Sequence, residues 1–363
     1  MTMSAERPMS EGKAPSSSGI AKVNQMVANT ASAAGGTGPT AGMPGRRFPD
    51  FFIVGHGKCG TTALCRMLAS HPQIHMPVKE PRFFAPELRT RYWRPASSRR
   101  KHPRTLEGYL SLFAAASPEQ RIGEASPQYL RSSSAANRIA AVRPDARIVA
   151  ILREPASFLR SVHLQAIRNY DETEKDFRKA IALEESRRQG KHIPRFSQVP
   201  SVLLYSDIVR YVEQLRRYHA MFPPENVLVL IYDDFRADNE GTVRKVLRFL
   251  EVDDTLPVPT VELDSSRTVR YVFLDQLTRG LSIARRSTAV SPVWGTVNAL
   301  TPRRLRDSNA FGAIWRRVRY TDAPPPDEEF TLELRRRFKP EVESVSDYLG
   351  RDLVTLWGYD SID

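Results

Sequence analysis

The stretch that most constrains this chain lies between residues 50 and 69. It reads Asp50-Phe-Phe-Ile-Val-Gly55, then Gly55-His-Gly-Lys-Cys-Gly-Thr-Thr62, then Ala63, Leu64, Met67 and Leu68 at helical spacing. A short apolar run that stops at glycine predicts a strand of a parallel sheet buried on both faces. The spacing that follows predicts a helix, with Thr61 and Thr62 placed to cap its first free amides. A strand, a tight turn and a helix in that order aim loop amides and a helix N-terminus at one point, which is a cradle for an anion. Gly57 and Gly60 let the backbone come close, Lys58 adds a full charge, and the two threonine hydroxyls can donate. The whole loop, His56, Gly57, Lys58, Cys59, Gly60, Thr61 and Thr62, is therefore the first candidate binding site. Glycine-rich turns also occur where nothing binds, but the lysine and the paired threonines weigh against that reading here.

Further strands are predicted at Ile74 to Met76, Arg121 to Glu124, Ala146 to Leu152 and Val227 to Tyr232. Helical patterns fall between and after them. Pro155 suits a first helical position. Ile208, Tyr211, Val212 and Leu215 predict a single helix ended by Pro223 and Pro224, and Val243, Val246, Leu247 and Leu250 predict another. Alternation of this kind argues for an α/β fold: a P-loop-like central parallel β-sheet flanked by helices, with a helical C-terminal extension.

Residues 1–46 are rich in Ser, Ala, Gly, Thr and Pro and carry no sustained apolar periodicity, so they read as a disordered tail. The remaining residues, 47–363, are expected to form one domain, with a core over 48–256 and the extension over 257–363. Neither a signal-peptide core nor an apolar run of membrane-spanning length occurs, and a cytoplasmic location is expected. The formal net charge of +13 favours anionic partners without naming one, and leaves room for peripheral contact with an anionic membrane surface. Much of it lies late in the chain: six arginines between Arg303 and Arg319, then Arg335, Arg336, Arg337 and Lys339. These are expected to form a solvated helix face. Two cysteines, Cys59 and Cys65, and seven scattered histidines fit no zinc, redox or disulfide pattern, so no metal site is expected.

An ATP- or GTP-binding loop, GxxxxGK[ST], is the rival reading of residues 55–62. Its lysine follows the last glycine, whereas Lys58 precedes Gly60. Asp233 and Asp234 after an apolar strand imitate a magnesium-holding aspartate, but aspartates there also start helices.

The GxxKxGTT loop, followed by Leu64 and His71-Pro72, resembles the 5′-phosphosulfate loop of sulfotransferases that use 3′-phosphoadenosine-5′-phosphosulfate (PAPS), in particular the carbohydrate and heparan-sulfate branch and its bacterial relatives. Lys79-Glu-Pro-Arg-Phe-Phe84 and Gly123-Glu-Ala-Ser-Pro-Gln-Tyr-Leu130 resemble that family's KEPxFF and GExSPxYL segments. Arg153-Glu-Pro155, with Ser161 eight residues after the arginine, resembles its 3′-phosphate motif. The likeness is close over residues 48 to about 170, extends to about 252, and is thin beyond. Arginine at a strand end gives a bidentate clamp and serine a neutral hydrogen bond, which suits a phosphate. A structural ion pair of Arg153 with Glu154 or Asp145 is the alternative.

The resemblance implies sulfuryl transfer from PAPS to a hydroxyl or amine of a small-molecule, glycan or glycolipid acceptor. Glu80 would be the general base and Lys58 the cation at the leaving phosphate, with no metal and no nucleic acid involved. Glu80 could instead be a surface carboxylate balancing Lys79 and Arg82. Phe83 and Phe84 are expected to anchor the loop in the core. Glu124 is placed in support, orienting Lys58 or an amide, and Ala125 stands where some relatives carry lysine. Arg267, with Ser265, Ser266 and Arg270, matches loosely a late basic loop that closes over the nucleotide. The segment from Tyr170 to Pro200 is expected to help shape the acceptor pocket. The competing function is a P-loop nucleotide-dependent kinase; binding of nucleic acid or an anionic membrane through the basic C-terminal third is a third reading.

Overall fold

The computed structural model describes residues 47–77, 80–88, 103–195, 197–259 and 325–362, and the backbone alone at 267–269 and 320–322. The expected tail (1–46) and the arginines at 303–319 lie outside the described residues.

Five strands form one wholly parallel sheet: β1 (Phe51–Ile53), β2 (Ile74–His75), β3 (Arg121–Ala125), β4 (Arg147–Leu152) and β5 (Val227–Ile231). Their order is β2-β3-β1-β4-β5. All five stand where the apolar runs predict them, to within a residue or two. Phe51, Phe52, Ile53, Ile148, Val149 and Ile151 have no solvent exposure, as central parallel strands covered on both faces require. The chain leaves β1 towards β2 and β3 on one side and then crosses to β4 on the other. The crevice beyond the carboxyl ends of β1 and its neighbours is thus the topological switch point, where ligands of such sheets bind.

The first helix, α1 (Thr61–Ala69), buries Ala63, Leu64, Met67 and Leu68 as its spacing predicts. The next helices are α2 (Leu106–Leu110), α3 (Ala135–Val142), α4 (Pro155–Asn169), α5 (Phe177–Ala182), α6 (Glu184–Arg188), α7 (Tyr205–Ile208) and α8 (Tyr211–His219). Pro155 does begin α4. The single helix expected through residue 208 is broken into α7 and α8: Tyr211 N–H donates to the Val209 carbonyl at 2.7 Å, a tight turn that α-helical pairing does not contain. The second piece ends at His219, ahead of the two prolines. After β5 come α9 (Tyr232–Ala237) and α10 (Asn239–Phe249). Two short strands, β6 (Arg267–Val269) and β7 (Tyr320–Asp322), pair antiparallel, and the backbone of β6 runs alongside α4.

The expected helical extension is led by α11 (Glu328–Leu349), followed by α12 (Leu353–Leu356). The first of these packs on α4 and α8 through Phe330, Leu334, Phe338, Val342 and Val345. Its basic residues are not a bare solvated face. Arg337 donates to Glu184 and Ser206, Lys339 to the Ile362 carbonyl, and Arg335 lies 3.6 Å from Glu154. Amphipathic periodicity locates the buried side of such a helix, but not what its polar side will meet. No described helix is long and apolar enough to cross a membrane.

Candidate active site

The loop after β1 is shaped by two close approaches. At Gly55 a side-chain carbon would lie 2.5 Å from the Ile151 backbone nitrogen, so only glycine lets the chain turn against β4. Gly60 has φ +79°, a conformation that costs glycine little. Lys58 also has positive φ, at 75°. Gly57, by contrast, has nothing among the described residues within 4 Å of where a side chain would start, so among them the loop is open on that side. Gly60 is the N-cap of α1, and no side chain caps the helix. Thr61 and Thr62 are therefore its first residues rather than its caps: Thr61 is buried and Thr62 exposed. The first amides of a helix have no partner within the helix itself, and such amides suit an anion.

Two members of the loop turn their side chains inward. His56 is buried, and its Nε2 meets the Gln214 side-chain oxygen at 2.8 Å; since that oxygen only accepts, Nε2 carries the proton. Burial lowers its pKa to about 3, so the ring is neutral and pegs the loop to α8. Cys59 is fully buried, and burial raises its thiol to about 12. These two residues can offer a ligand only their backbone, a correction to any reading that uses their side chains.

Arg153 follows β4 and lies across this loop. Its Nη1 donates to the Lys58 carbonyl at 3.0 Å and to the Ser161 hydroxyl at 3.3 Å, and its Nε donates to the Ser157 hydroxyl at 3.2 Å. The Tyr232 ring lies 4.6 Å from the guanidinium carbon, a cation–π contact. The predicted anion pair, Arg153 and Ser161, therefore meets the predicted loop. The alternative ion pairs do not form: Asp145 pairs with Arg143, and Glu154 caps α4 by accepting from the amides of Ala156 and Ser157. Ser157 has no place in the sequence motif, although its position one helical turn before Ser161 is the signal that could have found it. The side chain of Arg267 lies outside the described residues; its backbone belongs to β6, beside α4.

Glu80 enters the same end of the sheet. Its amide donates to the Ala125 carbonyl at the end of β3, and Ala125 is in register with Ile53 of β1. Both Glu80 and Arg82 have positive φ, 62° and 54°, on either side of Pro81. Arg82 Nη2 donates to Glu80 Oε2 at 2.7 Å. Pairing of Glu80 with Arg82 thus does occur, but in a largely buried turn and not on an open surface. Phe83 stacks on Tyr109 with centroids 4.5 Å apart, and Phe84 meets Tyr109, Tyr129 and Phe52 edge-on, so both anchor the turn as expected.

Glu124 has a different role from the one expected. It is completely buried and accepts from the hydroxyls of Tyr109 at 2.6 Å and Tyr129 at 3.3 Å, and among the described residues Oε1 has no hydrogen bond. Burial raises its pKa to about 7, against the opposing pull of the hydroxyls around it. It braces the aromatic anchor rather than Lys58. Asp233 and Asp234 stand in the first turn of α9 but do not cap it. Asp233 accepts from Trp357 Nε1 at 3.0 Å, and Asp234 takes a bidentate pair from Arg351 at 2.5 and 2.7 Å. They hold the C-terminal segment, so they give the kinase reading no support.

Several charged residues of the Tyr170–Pro200 segment are likewise turned inward. Glu172 and Arg187 form a buried ion pair at 2.7 Å that Tyr205 completes, and Asp171 accepts from the Gln198 amide. Among the described residues no cluster of His, Cys, Asp and Glu is arranged to hold a metal ion.

A parallel α/β sheet with a glycine loop at its switch point, crossed by an arginine and a serine from the next strand–helix unit, is an arrangement suited to a phosphorylated ligand beyond the strand ends. The model of the sulfotransferase family matches residues 49–255, more than half of the chain, and the chain belongs to that family. Human heparan sulfate glucosamine 3-O-sulfotransferase 6 is 33% identical over 136 residues, 37% of this chain and 34% of that protein. Human bifunctional heparan sulfate N-deacetylase/N-sulfotransferase 3 is 24% identical over 208 residues, 57% of this chain and 22% of that protein. The chain thus matches about a third or less of the length of these relatives. The crystal structure of a sulfotransferase from Alicyclobacillus acidocaldarius superposes with a TM-score of 0.57 at 26% identity, covering 86% of this chain and 99% of that one.

Proposed function

We propose that this chain transfers a sulfuryl group from PAPS to a hydroxyl or amine of a small-molecule, glycan or glycolipid acceptor. The observation that carries the reading is the meeting of Arg153, Ser161 and the Lys58–Gly60 loop at one place. That place offers what a doubly phosphorylated adenosine requires: an open, amide-lined turn at a helix N-terminus for the 5′ end, and a guanidinium with a hydroxyl for the 3′-phosphate. His56 and Cys59 serve through the backbone, Gly57 leaves room for close approach, and Thr61 and Thr62 add donors at the first turn.

PAPS supplies an activated S–O bond; every other part of the step falls to the chain. Glu80 takes the proton of the acceptor hydroxyl as its oxygen bonds to sulfur. Lys58 and the loop amides stabilise the charge that builds on the 5′-phosphate oxygen as its bond to sulfur breaks, and fixed donors at that point are effective because they need no reorganisation. No step requires a metal. The sulfotransferase names of the curated relatives favour a glycan or glycolipid acceptor, and a cytoplasmic site of action, with or without peripheral contact at an anionic membrane, fits the sequence.

Thermal unfolding tests the nucleotide part. Adenosine 3′,5′-bisphosphate should raise the melting temperature in the presence of a metal chelator, by mass action on the folded state. Stabilisation by magnesium-ATP alone would overturn the proposal in favour of a kinase. Transfer of labelled sulfate from PAPS to an acceptor library, abolished by Lys58→Ala, tests the chemistry.

A further inference from the structure

The last forty residues lie outside the stretch that matches the family, yet they touch both walls of the Arg153 site. One wall is the start of α4. Glu154, the residue after Arg153, is 5% exposed and caps that helix; Tyr359, with no exposure at all, donates its hydroxyl to Glu154 Oε1 at 2.6 Å. Arg335 Nε stands 3.6 Å from the same oxygen, at ion-pair distance, and its guanidinium carbon is 5.7 Å from the Tyr359 ring centroid. The other wall is the start of α9. Tyr232 faces Arg153 there, and Asp233 and Asp234 are held by Trp357 and by the two-pronged Arg351. Rings of Tyr232 and Phe235, from the same turn, come within 3.3 and 2.9 Å of where a side chain on Gly60 would begin, so α9 also backs the phosphate loop.

We infer that this C-terminal segment is part of the nucleotide site, with Tyr359 acting through Glu154, and Arg351 through Asp234, as positioning residues for Arg153. The physical reason is that Glu154 is a buried carboxylate, next to Arg153 in the chain, that caps the helix carrying Ser157 and Ser161. Left with fewer donors, it would shift, and with it the first turn of α4 that it caps, which carries Ser157, a partner of Arg153. Tyr359 and the two α4 amides hold Glu154 as the cap of that turn, and the guanidinium is held by the loop and the helix hydroxyls. Arg351 and Trp357 in turn fix the register of α9, and so the ring on which the guanidinium lies. Neither group touches the ligand; each sets where the 3′-phosphate clamp stands.

The inference rests on the PAPS reading, and one binding experiment separates the two. Calorimetric affinities of the full-length protein are measured for adenosine 3′,5′-bisphosphate and for adenosine 5′-monophosphate, which lacks the 3′-phosphate. The wild-type protein should prefer the bisphosphate strongly; no preference would overturn the PAPS reading itself. Tyr359→Phe and Arg351→Gln should each weaken the bisphosphate by about five- to tenfold and the monophosphate by clearly less, since Arg153 and α9 also touch the loop that receives the 5′ end. Equal weakening of both ligands, or no change in either, would overturn the positioning role while the PAPS reading stood. Arg351→Gln lies on a half-exposed residue, so it keeps the test open if Tyr359→Phe does not fold; a variant's circular dichroism melt decides whether it is counted.

Discussion

The guanidinium of Arg153 donates to the backbone carbonyl of Lys58 across 95 residues of sequence, at 3.0 Å. The clamp for one end of the ligand therefore also holds the loop that grips the other end. Arg153→Ala should remove both functions together, with kcat/KM for PAPS at least about 100-fold lower, as expected for losing several charge-assisted hydrogen bonds. Arg153→Lys should recover little, because an ammonium cannot reach Lys58, Ser157 and Ser161 at once. Ser161→Ala loses a neutral partner and should cost about three- to tenfold. Steady-state kinetics in PAPS at saturating acceptor check the order of the three.

The glycines of the loop make separate predictions because their surroundings differ. Gly55→Ala would press a methyl against the Ile151 backbone in the middle of the sheet, which cannot yield, and should destabilise the fold by about 1–3 kcal/mol. Gly57→Ala meets nothing within 4 Å and should leave the melting temperature unchanged. If the open side of the loop receives the 5′ end of the nucleotide, the same methyl should weaken adenosine 3′,5′-bisphosphate by about tenfold or more. Normal binding by Gly57→Ala would mean that the anion approaches from elsewhere.

Much of this site could be read in the sequence because its parts are local. Buried parallel strands are contiguous apolar runs, the loop is eight consecutive residues, and Arg153 with Ser161 lies on one strand–helix unit, so periodicity alone puts them on one side. What sequence could not show is pairing at a distance. Nothing near Glu154 announces Tyr359, 205 residues on, and nothing near Asp233 and Asp234 announces Trp357 and Arg351. Acidic residues at a helix start look like caps until a tertiary donor is known. The inward turn of His56 was illegible for the same reason, since its partner Gln214 is 158 residues away. Glu124, flanked by small residues, carries no sign of the tyrosines that surround it.

Glu80 and Arg82 give a test of the base. Glu80→Gln keeps the size and the backbone contact to Ala125 but cannot take a proton. The expected result is a fall in kcat of about 10²–10⁴ with adenosine 3′,5′-bisphosphate binding unchanged. Arg82→Met removes the partner that holds the carboxylate in its turn. Both residues are mostly buried, so the melting temperature should fall by an amount equivalent to about 1–3 kcal/mol, and kcat should fall with it. An unchanged kcat for Glu80→Gln would remove the carboxylate from the mechanism and leave it as the structural partner of Arg82.

Glu124 makes a prediction about pH. Its pKa rises on folding from an ordinary 4.5 to about 7, because burial disfavours the charge. Between those values the folded chain holds a proton that the unfolded chain has lost, so stability must fall as pH rises through this window and level off above about 7. The magnitude is on the order of 3 kcal/mol, since each tenfold change in proton affinity is worth about 1.4 kcal/mol. His56 works in the opposite sense: its pKa drops from 6.5 to about 3, so stability is lost as pH falls through that range. Because the two windows overlap between about 4.5 and 6.5, the wild-type profile mixes them, and single variants are needed to separate the slopes. Glu124→Gln keeps an acceptor for Tyr109 and has no charge to bury. It should be more stable than wild type at pH 8, and the difference should vanish or reverse at pH 4.5, where the native carboxyl is already protonated. Chemical denaturation of both proteins at the two pH values decides the matter; a difference independent of pH would mean that Glu124 stays charged in the fold.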